Sequence, residues 1–248
     1  MRRTVLVTGG SRGIGAGIAR MFGKRGWNVV LTFVSSHASA NAVANDILAA
    51  GSQAHVLKCD TRSEADICAA FAALDALGIR VDALVNNAGT TGPQTRLLDL
   101  SGDVLRDVVD TNLIGVILSS REAARRMAKS RGGSGGVIVN ISSTGTKLGN
   151  PNQWVHYAAT KGAIDTLTNG LARELACEGI RVAAVSPGLT LTDPAREAQV
   201  LERLETMKGE IPMARPGSVD EVAEGVYWLC SDAASYCTGV VLPIAGGR

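Results

Sequence analysis

The sequence has no long run of basic residues, no Cys-x-x-Cys pair, no cluster of metal-ligating side chains and no apolar stretch of membrane-spanning length. Each absence removes a class of function. A formal net charge of +2 without a Lys/Arg patch gives no electrostatic footprint for nucleic acid. The densest charged segment, Arg121-Glu122-Ala123-Ala124-Arg125-Arg126, mixes signs and reads as a solvated helix face. Five cysteines (Cys59, Cys68, Cys177, Cys230 and Cys237) are scattered and odd in number, which argues against a zinc site or a disulfide framework. Reduced, mostly buried thiols in a cytoplasmic protein are expected. The apolar run near Met1 is too short for a signal peptide and no cleavage site follows it. No internal repeat, low-complexity tract or domain boundary interrupts the chain, so neither a membrane nor a nucleic acid is expected as a partner.

What remains is an ordinary globular balance: 248 residues, 46% hydrophobic and 19% charged, enough for a sizeable core. Strand-like runs are predicted at Thr4–Val7, Val29–Val34, Ala54–Lys58, Val81–Val85, Val137–Ile141, Arg181–Val185 and Val240–Ile244. Helical patterns lie between them. One runs from Ala40 to Ala50 and closes at Gly51, and one opens at Ser63. A long one runs from Asp103 to about Lys129, one carries Tyr157, a charged one runs from Pro194 to Gly209, and Ser218-Val219-Asp220-Glu221 opens the last as a capping box. This alternation predicts an α/β chain, a doubly wound parallel sheet of about seven strands with helices on both faces.

Several strand ends carry residue types that suit chemistry. Gly9-Gly10-Ser11-Arg12-Gly13-Ile14-Gly15 joins a strand to a helix. Glycines there permit a tight turn and close approach of backbone to a ligand, and the helix start offers N–H groups to a diphosphate. The second strand ends Thr32-Phe33-Val34-Ser35-Ser36, without the acid that would bind ribose hydroxyls and select NAD. Arg12, Ser35 and Ser36 could instead receive a 2′-phosphate; alternatively, Arg12 is solvated and the serines cap the next helix. Asn86-Asn87-Ala88-Gly89 ends another strand, and Asn112 lies within a long helical pattern where an Asn is unfavourable unless it bonds something specific. Tyr157 and Lys161 are four apart on a helix, so a phenol and an ammonium stand side by side. The cation should lower the tyrosine pKa and suit it to proton transfer, unless the two merely rim an amphipathic helix.

Taken together and in order, these motifs, with Ser142-Ser143 and Ser186-Pro187-Gly188, Arg215-Pro216-Gly217 and Thr238-Gly239, resemble the classical short-chain dehydrogenases/reductases over essentially the whole length. Within that family the chain is similar to bacterial members called 3-oxoacyl carrier-protein reductases or glucose dehydrogenases. The resemblance implies one Rossmann-fold domain over residues 1–248, with a substrate lid at about 189–211. It implies an NADP-dependent oxidoreductase acting on a small carbonyl or alcohol, or on a carrier-tethered acyl chain, with NAD the less favoured cofactor. It assigns catalysis to Tyr157 as general acid or base, Lys161 on Tyr157 and the nicotinamide ribose, Ser143 on the substrate oxygen, and Asn112 in a proton relay. It assigns cofactor binding to Gly9, Ser11, Arg12, Gly13, Ile14, Gly15, Phe33, Ser35, Ser36, Asp60, Thr61, Asn87, Ala88, Gly89, Pro187, Gly188, Thr190 and Thr192, besides Tyr157 and Lys161. A homotetramer is implied too, paired through small-residue stripes (Ala123, Ala124 and Ala128; Ala163, Gly170 and Ala172), unless these face the chain's own sheet. Three departures stand out. The Ser143-to-Tyr157 stretch is about a residue longer than in many members, which leaves Ser142 as a rival to Ser143. Ala183 stands where many members have Asn. The lid stretch is charged and alanine-rich with few aromatics, which suits a small, polar or tethered substrate.

Overall fold

A computed structural model of the chain describes residues 2–192, 201–202, 205–206 and 209–248. The helix expected from Pro194 to Gly209, and the centre of the expected lid, fall largely on 193–200, 203–204 and 207–208, which lie outside the described residues.

The strands are β1 (Thr4–Val7), β2 (Asn28–Phe33), β3 (Ala54–Lys58), β4 (Ala83–Asn86), β5 (Gly136–Ile141) and β6 (Ile180–Pro187), then the short β7 (Thr190–Leu191) and β8 (Gly217–Ser218), and last β9 (Val241–Ile244). Among the described residues, seven of them form one sheet in the order β3-β2-β1-β4-β5-β6-β9, and β7 pairs with β8. Every pairing is parallel. A parallel sheet is covered on both faces, which is why its central strands read as unbroken apolar runs. Alternate residues go to opposite sides. Val5, Val7, Leu31, Val85, Val139 and Val185 pack with helices α1 (Gly13–Lys24), α2 (His37–Ala49) and α8 (Val219–Cys230). Leu6, Val30, Leu84, Ile138 and Val182 pack with α3 (Glu64–Ala76), α5 (Gly115–Met127) and α7 (Val155–Leu175). Ala183 is fully buried in the first layer, in register with Val139. After β3 the chain returns to pair β4 with β1 on its other side, so the strand order reverses there. A crevice opens at such a switch point, beyond the carboxyl ends of the strands.

The helix starts follow the sequence signals. Ser63 caps α3 by accepting from Asp66 N at 3.1 Å. Ser218 and Glu221 form the reciprocal box on α8, with bonds of 3.1 and 2.8 Å.

Four expectations need correction. The long helix is three pieces: α4 (Gly102–Val109), a π turn (Asp110–Ile114) and α5. The segment Arg121–Arg126 is not a purely solvated face. Glu122 is 5% exposed and accepts hydrogen bonds from Arg121, Arg125 and Arg126, and Arg126 also holds Asp75 on α3. The guanidinium heads themselves close over the carboxylate, which is how a charged group is buried here. All five thiols are free, but only Cys59 and Cys230 are buried, and Cys177 is exposed. Burial pushes the Cys59 thiol up to about 11 and Cys230 up to about 12. Finally, the alanine stripes divide: Ala123, Ala128 and Ala172 face the chain's own core, whereas Gly170 is exposed and Ala124 and Ala163 are half-buried. No helix among the described residues is long and apolar enough to cross a membrane.

Candidate active site

The crevice is built first by the loop after β1. Thr8 Oγ1 accepts from Asn87 N and Ala88 N, both at 3.0 Å, and so locks the ends of β1 and β4 together. Asn87 Nδ2 donates to the carbonyls of Thr8 (2.9 Å) and Gly9 (3.1 Å), and Gly9 N donates to Thr32 Oγ1 at 3.1 Å. A Cβ on Gly15 would run into Asn87 Nδ2 and the Gly9 carbonyl, so α1 can start this close to β4 only with glycine there. Arg12 is the N-cap of α1 and its side chain caps nothing, so the first N–H groups of the helix face the crevice uncapped. Ser11 and Ile14 are half-buried beside it, and the Arg12 side chain is exposed. Thr192 lies against Gly13: a Cβ there would be 3.6 Å from Thr192 Cβ.

Other candidates stand at or beyond the carboxyl ends of β2, β3 and β6. Phe33 is buried at the end of β2. Ser35 is exposed, while the Ser36 hydroxyl caps α2, accepting from Ser39 N at 3.2 Å. Thr61 is buried, and Asp60 is paired with Arg62, whose hydrogen bonds and charge hold its carboxyl below the usual range. Pro187 ends β6, Gly188 N donates to Ile244 O at 3.0 Å, and Thr190 Oγ1 donates to Gly188 O at 3.1 Å.

The second half of the site is the meeting of β5 with α7. Ser143 follows β5; its hydroxyl accepts from Gly145 N at 3.1 Å and stands near enough to the Tyr157 phenol to favour its ionised form. Ser142 donates to Asp165 Oδ1 at 2.5 Å, about two helical turns along α7 from Tyr157, which leaves Ser143 as the serine beside the tyrosine. Lys161 is 4% exposed and its Nζ donates to Ile141 O at 2.6 Å. Asn112, fully buried in the π turn, donates to Thr90 O (2.8 Å) and Thr160 Oγ1 (3.2 Å) and accepts from Thr90 N (2.8 Å). Gly89 marks where these groups converge: a Cβ there would lie 3.2 Å from Asn112 Oδ1 and 3.7 Å from Lys161 Nζ. His156 faces away, its Nε2 3.0 Å from Thr91 O.

The electrostatics run against one expectation. Burial raises the Tyr157 pKa, opposed by the neighbouring Ser143 hydroxyl. The Lys161 ammonium, bonded to the Ile141 carbonyl, stands 5.7 Å from the tyrosine ring centre, and burial of the phenol is the larger influence. Burial brings Lys161 itself down to about 8, opposed by the negative field of Asp165.

Residues 9–248 match the family described as enoyl-(acyl carrier protein) reductase. The chain is 44% identical over 243 residues to the uncharacterized oxidoreductase YgfF of Escherichia coli, covering 98% of each protein. It is 37% identical over 247 residues to the 3-oxoacyl-[acyl-carrier-protein] reductase FabG of Staphylococcus aureus, covering 100% of this chain and 98% of that one. A short-chain dehydrogenase from Burkholderia cenocepacia, solved in complex with NADP, superposes with a TM-score of 0.88 at 34% identity, covering 99% of this chain and 97% of that one. The chain belongs to the classical short-chain dehydrogenase/reductase family. This reductase is therefore an oxidoreductase with the family's single-domain Rossmann fold. Three of its site residues were passed over in the sequence. Thr8 and Thr32 carry the glycine loop, and their signal was a hydroxyl at each of two adjacent strand ends. Asp165 had a signal as well, since it repeats the four-residue spacing of Tyr157 and Lys161.

Proposed function

We propose that this reductase transfers a hydride between NADP and a carbonyl or secondary-alcohol carbon, with Tyr157 as the general acid or base. The observation that carries this reading is the approach of Lys161 Nζ and Asn112 to Gly89, beyond the carboxyl end of β4, with Tyr157 one helical turn before Lys161 and Ser143 beside its phenol. The crevice suits a dinucleotide phosphate. The start of α1 is uncapped, Gly15 admits a close backbone approach, and the Arg12 guanidinium makes no ion pair or side-chain hydrogen bond among the described residues. No carboxylate stands at the end of β2 to repel a 2′-phosphate. When bound, NADP supplies or accepts the hydride. Ser11 through Gly15 would hold the diphosphate, and Arg12 with Ser35 and the capped start of α2 the 2′-phosphate. Phe33, Asp60 and Thr61 would flank the adenine end, and Asn87, Ala88 and Gly89 the middle. Pro187, Gly188, Thr190 and Thr192 would flank the nicotinamide end, where residues 189–211 would close over the substrate.

The chain's own residues divide the proton chemistry. Ser143 holds the substrate oxygen and stabilises charge that develops there. Tyr157 gives that oxygen its proton in reduction or takes it in oxidation. Lys161, a cation below about 8, holds the ribose and returns protons toward Asn112. A phenol kept protonated by burial favours carbonyl reduction at neutral pH, and alcohol oxidation should rise with pH. The wild-type protein should consume NADPH with simple ketones or with a 3-oxoacyl group, the class named for FabG. Stoichiometric NADPH binding without turnover on any carbonyl of such a panel would instead make this a cofactor-binding module.

A further inference from the structure

Three consecutive residues at the end of β5 meet three side chains spaced four apart on α7. Ile141 O accepts from Lys161 Nζ at 2.6 Å, Ser142 Oγ donates to Asp165 Oδ1 at 2.5 Å, and the Ser143 hydroxyl stands beside the Tyr157 phenol. On a helix, residues 157, 161 and 165 lie along one stripe, each about 6 Å of rise from the next. The proposed chemistry uses the first and third of these ties. The middle strand residue, Ser142, and the last helix residue, Asp165, have no part in it.

We propose that Ser142 and Asp165 are a positioning pair: Ser142 pins the strand end to α7 one turn below Lys161, and Asp165 supplies the counter-charge that keeps the buried Lys161 an ammonium. The pinning argument is geometric. The Asp165 carboxylate holds the Ser142 hydroxyl at 2.5 Å about two helical turns along α7 from Tyr157, and so fixes the chain from which Ser143, the next residue, approaches the tyrosine. The charge argument follows from the surroundings of Lys161. Its own hydrogen bond goes to a neutral carbonyl, and a buried ammonium without an anion nearby is costly. Asp165 is the charged group whose field acts on it, Tyr157 is the titratable neighbour on the same helix, and the facing groups from β4 and the π turn, Gly89 and Asn112, are neutral. This inference rests on the function proposed above, but its main readout does not.

Lysine labelled with ¹³C at Cε reports the titration of Lys161 by NMR without turnover, with Lys161→Arg used to assign the signal. Asp165→Asn keeps an acceptor for Ser142 and removes the charge. Its Lys161 midpoint should fall below that of the wild type, and Asp165→Glu should restore it. In a rate assay the alkaline limb of ketone reduction should move to lower pH in Asp165→Asn, because loss of a negative charge makes the coupled Tyr157/Lys161 pair release its first proton earlier. Ser142→Ala keeps the charge and removes the pin. Its kcat should fall about 10- to 100-fold, the scale of an ångström-level misplacement, while NADPH binding changes little. An unchanged Lys161 midpoint in Asp165→Asn would overturn the charge role, and wild-type kcat in Ser142→Ala would overturn the pin. A lowered melting temperature alone, with midpoint and kcat unmoved, would reduce the pair to scaffold. If Tyr157→Phe kept its turnover, the functional reading would fail while the NMR midpoint still judged Asp165.

Discussion

Arg12 stands where the glycine loop meets α1, exposed and without a side-chain partner among the described residues. A guanidinium bound to phosphate makes charge-assisted, often bidentate bonds. Arg12→Ala should weaken NADPH binding by about 10- to 100-fold, the equivalent of a hydrogen bond to a charged group, and weaken NADH binding far less. Fluorescence titration with both cofactors measures this, and equal losses would remove the NADP assignment. At this scale the sequence was informative about identity and silent about direction. The spacing of Tyr157 and Lys161, and the unfavourable place of Asn112 in a helix, pointed to groups of one neighbourhood: Lys161 and Asn112 meet at Gly89, and Tyr157 stands one turn before Lys161. Spacing could not show where the Lys161 ammonium points. It turns to Ile141 O, and burial is the larger influence on the tyrosine. Nor could spacing separate Ser142 from Ser143, since both meet α7 and which of them stands beside Tyr157 is set by the path of the chain after β5. The hydroxyl of Ser36 likewise chose between two roles open to it, and capping of α2 took it.

The stretch from α4 to α5 shows what helical periodicity conceals. A π turn inserts one residue's worth of extra winding without altering the apolar pattern around it, so one long helix was the natural reading. The turn carries Asn112 inward to bond Thr90 and Thr160, and this satisfies all the hydrogen bonds that made a buried Asn unfavourable in a regular helix. On α5 the mixed charges conceal burial in the same way. Burial pushes the Glu122 carboxyl up, but the bonds of Arg126 and Arg121 and the fields of Arg125 and Arg126 outweigh it and hold the group below 4.5. A carboxylate with a depressed pKa contributes stability above its unfolded pKa and loses it as pH falls through its folded value. Glu122→Ala should therefore cost about 2 kcal/mol at pH 7, within the range for hydrogen bonds to a charged group. The gap between mutant and wild type should narrow as pH drops below about 4.5, toward the lower folded value. Thermal melts at the two pH values check both statements, and a gap independent of pH would show that the three arginines are not the cause.

Across the whole molecule, the alternation of strands and helices sufficed to predict the parallel sheet of about seven strands, because a sheet buried on both faces writes itself as apolar runs; the strand order, and with it the switch point, came from the structure. Assembly was less legible, because a stripe of alanines suits a helix against its own sheet as well as a helix against a partner. Ala123, Ala128 and Ala172 take the first course. Between α5 and α7 lies an open groove with an apolar floor that includes Ile117, Ala124, Leu167 and Leu171, edged by charged residues such as Arg125 and Glu174. Apolar surface of this kind on two neighbouring helices suits a two-fold pairing, and we expect a homotetramer. Light scattering at micromolar concentration should give four times the 25.7 kDa chain mass, and a monomer would refute it. The account as a whole rests on Tyr157. Tyr157→Phe removes one hydroxyl and little volume, so the fold and NADPH binding through the glycine loop should survive. Its kcat on an accepted ketone, measured beside an NADPH titration, should fall by roughly 10²- to 10⁴-fold, as for loss of a general acid, with the NADPH Kd within about twofold of wild type. Near-normal turnover in Tyr157→Phe, with Ser143→Ala inactive, would contradict it.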